Sequence, residues 1–313
     1  MIHLSIHTSP GKSVLILSLI IFLSCSAAGN GEKTITPPAE GEFKNYWYTG
    51  KAELTRYTLK QARYGEIHEG DAVLIFVTED FLTDKQVKYE YGDRGGNVSS
   101  VLKLNFTRTF NTGIYPYSMM SSIFTPVDPA EQTLKVTSSS QEWCGHTFSQ
   151  LNFRDGQYEG SLNSYFQAEG DQEFSLDGVM LEDEIWTKIR LRPSELPTGE
   201  IKLIPGSQFL RLRHREFQVE NATAALETVQ DAPLSSKAQA KYRVTYKDFE
   251  RALEITFEME FPYTNVAWEE QTKSGFGNPR KLTTTAVRTH SINSPYWRQH
   301  SVADSVLRKD LGL

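Results

Sequence analysis

The sequence predicts an α+β fold that is mainly β, a large curved antiparallel sheet with one packing helix near residues 177–192. Three patterns predict it. Leu253, Ile255, Phe257, Met259 and Phe261 alternate with Glu254, Thr256, Glu258 and Glu260, the period of a strand with one buried face. Further short segments along the chain show the same alternation, or a brief apolar run between turn residues. A single segment has helical spacing, with Leu181, Ile185 and Ile189 at i, i+4 and i+8, and Pro193 ends it. Many short strands beside one helix argue against the regular alternation that a parallel α/β sheet requires.

The first element is an address. Lys12 precedes the apolar run from Val14 to Leu23, which is too short for a bilayer span of roughly 20 residues, and Ser24-Cys25 follows. A basic residue, a short apolar stretch and a small residue describe a secretory signal over 1–24. Phe22-Leu23-Ser24-Cys25 has the form of a loose bacterial lipobox, which makes Cys25 the residue of lipid attachment. The alternative is ordinary cleavage at Ser26-Ala27-Ala28. Residues 25–42 are small and polar and carry Pro37-Pro38, so they bury too little apolar area to order themselves and are expected to be a flexible tether. A single β-rich domain is expected over 43–313.

Folding is expected to begin at the aromatic run Tyr46-Trp47-Tyr48. The stretch Ala72-Val73-Leu74-Ile75-Phe76-Val77 is apolar on both parities, which suits a central strand covered on both faces. From 102 to 110, Leu102, Leu104, Phe106 and Phe110 point to the core, with Lys103, Asn105, Thr107 and Thr109 toward solvent. Pro116 is expected to break pairing, and Leu134 and Val136 to resume it facing inward. Strands through 143–153 and 158–166 flank the turn residues Asp155-Gly156. On the helix, Glu182, Asp183 and Glu184 come early and Lys188, Arg190 and Arg192 late on a polar face, the order the helix dipole favours. Segments 241–246 and 253–261 are expected to pair as a hairpin, Val244 opposite Ile255 and Lys241 opposite Glu258.

Composition narrows the function. At 39% apolar and 23% charged residues the chain is ordinary globular protein, which excludes global disorder and a multi-span membrane protein. A net charge of −6 argues against nucleic acid as a partner, since that needs a basic footprint. The two cysteines are Cys25 and Cys144; once the first is acylated the second has no partner, so packing rather than a disulfide must stabilise the domain.

Candidate chemistry is sparse. Trp143-Cys144-Gly145-His146 offers a thiol with a base two residues away, although catalytic Cys/His pairs normally come from distant segments and a free cysteine is more often a packed core residue. Of the five histidines after the signal segment, His68, His146, His214, His290 and His300, none lies at short metal-ligand spacing from another His or Cys except His146 from Cys144, and no phosphate, dinucleotide or serine-hydrolase motif occurs, so neither a metal nor a cofactor is implied. Arg211, Arg213 and Arg215 would share one face of a strand between Phe209 and Phe217, where they could meet anionic head groups or glycans, or a cross-strand glutamate. Tyr115, Tyr117, Met119 and Met120 form a soft aromatic and thioether-rich stretch that could line an apolar pocket or fill a core. The pair Glu258 and Glu260 reads as a solvent-side charge ladder.

Several blocks together resemble a set of Bacteroidota lipoproteins of unestablished activity: Tyr46-Trp-Tyr-Thr-Gly-Lys-Ala-Glu-Leu54, Gln61-Ala-Arg-Tyr-Gly-Glu-Ile67, Val73-Leu-Ile-Phe-Val-Thr-Glu-Asp80, Gly113-Ile-Tyr-Pro-Tyr-Ser-Met-Met120 and Gln141-Glu-Trp-Cys-Gly-His146. Members sometimes carry the label septum formation inhibitor Maf, which implies a nucleotide pyrophosphatase. Such enzymes open with a strand and a Ser/Arg-rich phosphate loop, whose local echo here, Thr8-Ser-Pro-Gly-Lys12, precedes the apolar run and leaves with it. The resemblance therefore implies an exported protein, lipid-anchored to the outer membrane and facing periplasm or surface. The expected function is non-catalytic binding of an apolar or lipid-like ligand, held between sheet and helix, or of an envelope protein. The alternatives are an enzyme using Cys144 as nucleophile and, behind it, a Maf-type pyrophosphatase.

Overall fold

Alternating apolar and polar residues dominate the chain, and they produce sixteen strands among the described residues, all in one sheet. The computed structural model describes residues 34–92, 96–230 and 234–313; the expected signal segment, Cys25 and the expected tether up to residue 33 lie outside them. In chain order the strands are β1 (Ala52–Arg63), β2 (Glu66–Leu82), β3 (Val87–Lys88), β4 (Val98–Thr112), β5 (Tyr115–Pro126), β6 (Lys135–Glu142), β7 (Gly145–Arg154), β8 (Gln157–Ser164), β9 (Gln172–Asp177), β10 (Met180–Leu181), β11 (Gly199–Ile204), β12 (Glu220–Val229), β13 (Gln239–Tyr246), β14 (Arg251–Glu258), β15 (Asn265–Ser274) and β16 (Arg280–Ser294). Three short helices, α1 (Glu42–Trp47), α2 (Ile185–Leu191) and α3 (Ser207–Arg213), accompany them.

Neighbours run from β10 through β11–β16 to β1 and β2, then through β4–β9, with β3 beside β2. Pairing is antiparallel except between β10 and β11. The chain's last strand pairs with its first, Ala52 opposite Ser294. The two ends of this order, β9 and β10, are joined by Gly178-Val179 alone. Three Cα steps span at most about 11 Å, so the sheet has to curl until its ends approach each other. Strand twist supplies the curvature, and irregularities at Arg56/Tyr57 against β16 and at Thr256/Phe257 against β15 sharpen it.

The concave face holds the main core, and α2 lies within it against β4, β5 and β15. Leu181, Ile185 and Ile189 are fully buried, as the helical spacing predicts. Trp186 meets Phe106 and Trp268 edge-on at 5.0 and 5.2 Å, and Tyr57 packs on Trp268 at 4.8 Å. The convex face is wetter, except where Leu54, Val73, Ile75, Val77 and Ile292 meet the closing 3-10 segment Val302–Leu311. That cover explains why 72–77 is apolar on both parities: β2 is a central strand with core on one side and the C-terminal segment on the other.

Six expectations need correction. The helix is shorter than 177–192, because β9, β10 and a 3-10 turn at Glu182–Glu184 occupy the first part. Packed against β4, β5 and β15, this segment buries most of its polar face: Glu182, Asp183 and Glu184 are buried and Arg190 is completely enclosed, while Lys188 and Arg192 stay partly exposed. Arg190 is satisfied by a bidentate pair with Glu53, both bonds 2.6 Å. The β13–β14 hairpin is two residues tighter than expected, with Val244 opposite Leu253 and Lys241 opposite Thr256, because its turn uses only Lys247–Glu250. A shift of two preserves the faces, so Leu253, Ile255, Phe257 and Met259 are buried with Tyr242, Val244 and Tyr246. The even face is not uniformly wet: Glu254 makes a ladder with Lys241 and Arg243, but Glu258 is only 5% exposed and holds Arg288 at 2.8 Å. Pro116 does not break pairing; it lies opposite Asn111 near the hairpin end, before β6 joins at Ser118. The expected tether docks at its end, where the Thr36 amide donates to the Met259 carbonyl and the Tyr263 hydroxyl donates to the Thr36 carbonyl at 2.7 Å.

Candidate functional site

Three of the sequence candidates, Tyr115, Tyr117 and Arg211, come together at one end of the curled sheet. Arg63 pairs with Glu66, Thr112 with Tyr115 and Glu142 with Gly145, so three two-residue hairpin turns close at the same end. Tyr64 and Gly65 both have left-handed φ values, 53° and 83°, which is the turn that matches strand twist. Helix α3 follows β11 at that end and brings Arg211 and Leu212 over the mouth.

A guanidinium and three tyrosines organise one side of this mouth. Arg63 Nη2 donates to the hydroxyls of Tyr64 and Tyr117, each at 3.2 Å, and Nη1 donates to the Leu212 carbonyl. The Tyr64 and Tyr117 hydroxyls are 2.7 Å apart, and Tyr115 donates to Tyr64 at 3.2 Å. The Arg63 guanidinium lies 4.2 Å from the centre of the Tyr64 ring, and Tyr117 stacks on Phe110 at 4.8 Å. Burial raises the phenol pKa values of Tyr64 and Tyr117, so these hydroxyls stay protonated and act as neutral donors and acceptors.

The other side is built on Glu169, which takes Arg211 Nη2 and His214 Nδ1, the latter at 2.8 Å. Burial pushes the His214 pKa down to about 4, and the guanidiniums of Arg211, Arg63 and Arg213 add to the effect. The ring is therefore neutral, and its Nδ1–H donates to the carboxylate. Burial, then the charge of Arg63, pushes Arg211 down to about 10. A cavity of about 20 Å³ lies between the two sides, lined by Arg63, Tyr117, Thr147, Arg211 and His214 among others.

The remaining candidates separate. Met119 is buried and Met120 is exposed, since neighbours on β5 face opposite sides, so the four residues from Tyr115 to Met120 do not line one pocket. Arg211 and Arg213 stand on helix α3 rather than a strand, and Arg215 lies beyond its end, 3.9 Å from Glu220 and over the Phe249 ring. Cys144 is not a packed core thiol: it is exposed in the β6–β7 turn, because a two-residue hairpin turn projects its side chains outward. Its hydrogen bond with Glu142, and that carboxylate's charge, push the thiol pKa up, the opposite of nucleophile activation. His146 is exposed on β7 opposite Gln141. Among the described residues no group of three His, Cys, Asp or Glu could hold a metal ion.

Sequence reasoning missed Arg63, Thr147, Glu169 and His214. Arg63 stood in the quoted block 61–67, but a charged residue before a Tyr-Gly turn carries no pattern that sets it apart from any hairpin end.

A second cavity lies on the convex face. It has a volume of about 320 Å³, an apolar floor of Leu54, Val73, Ile75 and Ile292, and a roof formed by Tyr296 and Leu307. Ser294, Gln299, Asp304 and Arg308 supply its polar rim.

An antiparallel sheet curled until its ends approach, filled by a helix and carrying a charged aromatic mouth, defines a β-barrel-like protein. No family model and no curated protein matches the chain. Among solved structures it is similar to the crystal structure of a beta-barrel-like protein of the domain of unknown function DUF1849 from Brucella abortus. The identity is 10% and the TM-score 0.46, over 78% of this chain and 98% of that one.

Proposed function

We propose that the protein is an exported envelope protein, held at the outer membrane through Cys25 and facing periplasm or cell surface, that binds an apolar, lipid-like ligand without catalysis. The observation that carries the binding half is the convex groove. About 320 Å³ lies at the lower end of the roughly 300–1,000 Å³ range of ligand pockets, suited to a single acyl chain more than to a diacyl lipid. Apolar walls would take the chain and the rim around Arg308 the head group. On this reading the ligand would lie outside the sheet, since the space between sheet and α2 is filled by Trp186, Ile185 and Ile189. The address half rests on the run from Lys12 to Cys25 and on the resemblance of five blocks to Bacteroidota lipoproteins. The raised thiol pKa of exposed Cys144 weighs against the enzyme alternative.

The test is lipid mass spectrometry on the protein purified from its own cells, beside the half-buried groove variant Leu307→Glu. Single-chain amphiphiles recovered with the wild type and lost with the variant are expected. Wild-type protein free of lipid, or equal recovery from both, would sink the binding reading, and turnover abolished by Cys144→Ser would favour the enzyme.

A further inference from the structure

We propose that the cavity at the mouth, between Arg63 and Arg211, binds one small halide-sized anion, chloride being the natural occupant. The site is separate from the convex groove and does not depend on its ligand.

Three polar atoms on residues lining this cavity are buried without a hydrogen-bond partner: Nε of Arg63, Nε of Arg211 and Oγ1 of Thr147. Arg63 is 8% exposed and Thr147 3%, so bulk water does not reach them. Leaving such groups unpaired costs roughly 1–3 kcal/mol each, more for a charged group, and native proteins rarely do so without an occupant. All three can donate. A water molecule accepts two hydrogen bonds and must find acceptors for its own protons, whereas a halide accepts all three and has no protons to place.

Size and charge agree with that choice. A volume of about 20 Å³ holds one particle, since a water needs on the order of 10–15 Å³ measured in the same way. The cations Arg63 and Arg211 and the carboxylate Glu142 line the space; Arg213 is near enough to act on His214, and Glu169 pairs with Arg211 from outside the lining. Glu169 is already engaged by Arg211 and His214, and Glu142 by the backbone N–H of Cys144 at 2.7 Å. Neutral His214 leaves the cluster with an excess of positive charge. Burial first, and then the charge of Arg63, disfavours the charged form of Arg211, and an anion in the cavity that both residues line would offset both effects. Phe166 and Tyr117 are also in the lining.

Two measurements on the full protein test this. Crystals soaked in bromide should show an anomalous peak in the cavity between Arg63, Thr147 and Arg211. In solution, exchanging gluconate for chloride at constant ionic strength should raise Tm along a saturating curve, because a ligand of the native state stabilises it by mass action. Thr147→Val keeps the shape and removes one donor, so it should weaken the apparent affinity several-fold, and Arg63→Gln should abolish the chloride response. The absence of bromide from the cavity overturns the proposal. So does a chloride response that is missing in the wild type, or unchanged in Thr147→Val. If Arg63→Gln fails to fold, the wild-type and Thr147→Val measurements still decide.

Discussion

Asp183 is the least compensated of the three acids that precede α2. Glu182 receives both terminal nitrogens of Arg251 and the Tyr246 hydroxyl at 2.6 Å, and Glu184 receives Lys188 at 2.9 Å together with Thr133. Asp183 has only the Ser207 amide at 2.9 Å and hydroxyl at 3.2 Å. Burial therefore raises its pKa to about 7; the Ser207 bonds oppose this, while the charge of Glu182 adds to it. The consequence for stability has a definite sign. An acid whose folded pKa lies above its unfolded value of about 4 releases its proton more readily when unfolded. Its stabilising effect is complete below pH 4 and is lost as pH rises through 7. The wild type should accordingly lose stability relative to Asp183→Asn across that window, by a few kcal/mol, in urea melts taken at several pH values. A flat difference between pH 4 and 8 would show that Asp183 titrates normally. None of this was legible in the residues themselves: Glu-Asp-Glu at the start of a helical period is the signature of a solvent-facing first turn. Only the sheet wrapped around it turns the same three carboxylates into buried groups that need Arg251, Ser207 and Lys188.

At the scale of the element, β14 shows how far a pattern carries. Alternation fixed which side chains of Leu253–Met259 face the core, because a one-residue slip would expose every one of them. It left open a slip of two, which preserves the faces, and the four-residue turn made that choice. Nor could it report what covers the other face, where Ser235, Lys237 and Arg288 close over Glu258. Truncating buried Phe257 to alanine should cost about 3–5 kcal/mol. Glu258→Ala, which the sequence ranked as a surface change, should cost about 1.5–3 kcal/mol, the value of hydrogen bonds to charged groups. Glu254→Ala on the half-exposed ladder should cost less than about 1. Denaturant midpoints of the three variants check that order, and equal values for Glu254→Ala and Glu258→Ala would contradict the burial of Glu258. The helix follows the same logic: spacing located Ile185 and Ile189 on the core side, but its length was set by the strands competing for residues 172–181.

For the whole molecule, the curl of the sheet and its C-terminal cover decide where ligands could go. Val302–Leu311 lies over the apolar patch of β1, β2 and β16, with Leu311 buried there. Burying one leucine is worth about 1.5–3 kcal/mol. A chain ending at Ser301 should therefore melt at lower temperature, bind a hydrophobic dye such as ANS, and lose the groove. Unchanged dye binding would mean that the convex face is protected by something other than this segment.

By itself the sequence determined the mainly β class, the inward faces of β4 and β14, the centrality of 72–77 and the core side of the helix. Each follows from the period of apolar residues, a local quantity that every window of the chain carries. The tertiary structure alone decided the strand order that pairs β16 with β1, the enclosure of α2, and the gathering of Arg63, Thr147, Glu169 and Arg211 at one mouth. These depend on which segments meet across more than a hundred residues, as Arg63 and Arg211 do. Hydrophobic periodicity states which face a residue presents; it does not state which partner will be waiting there.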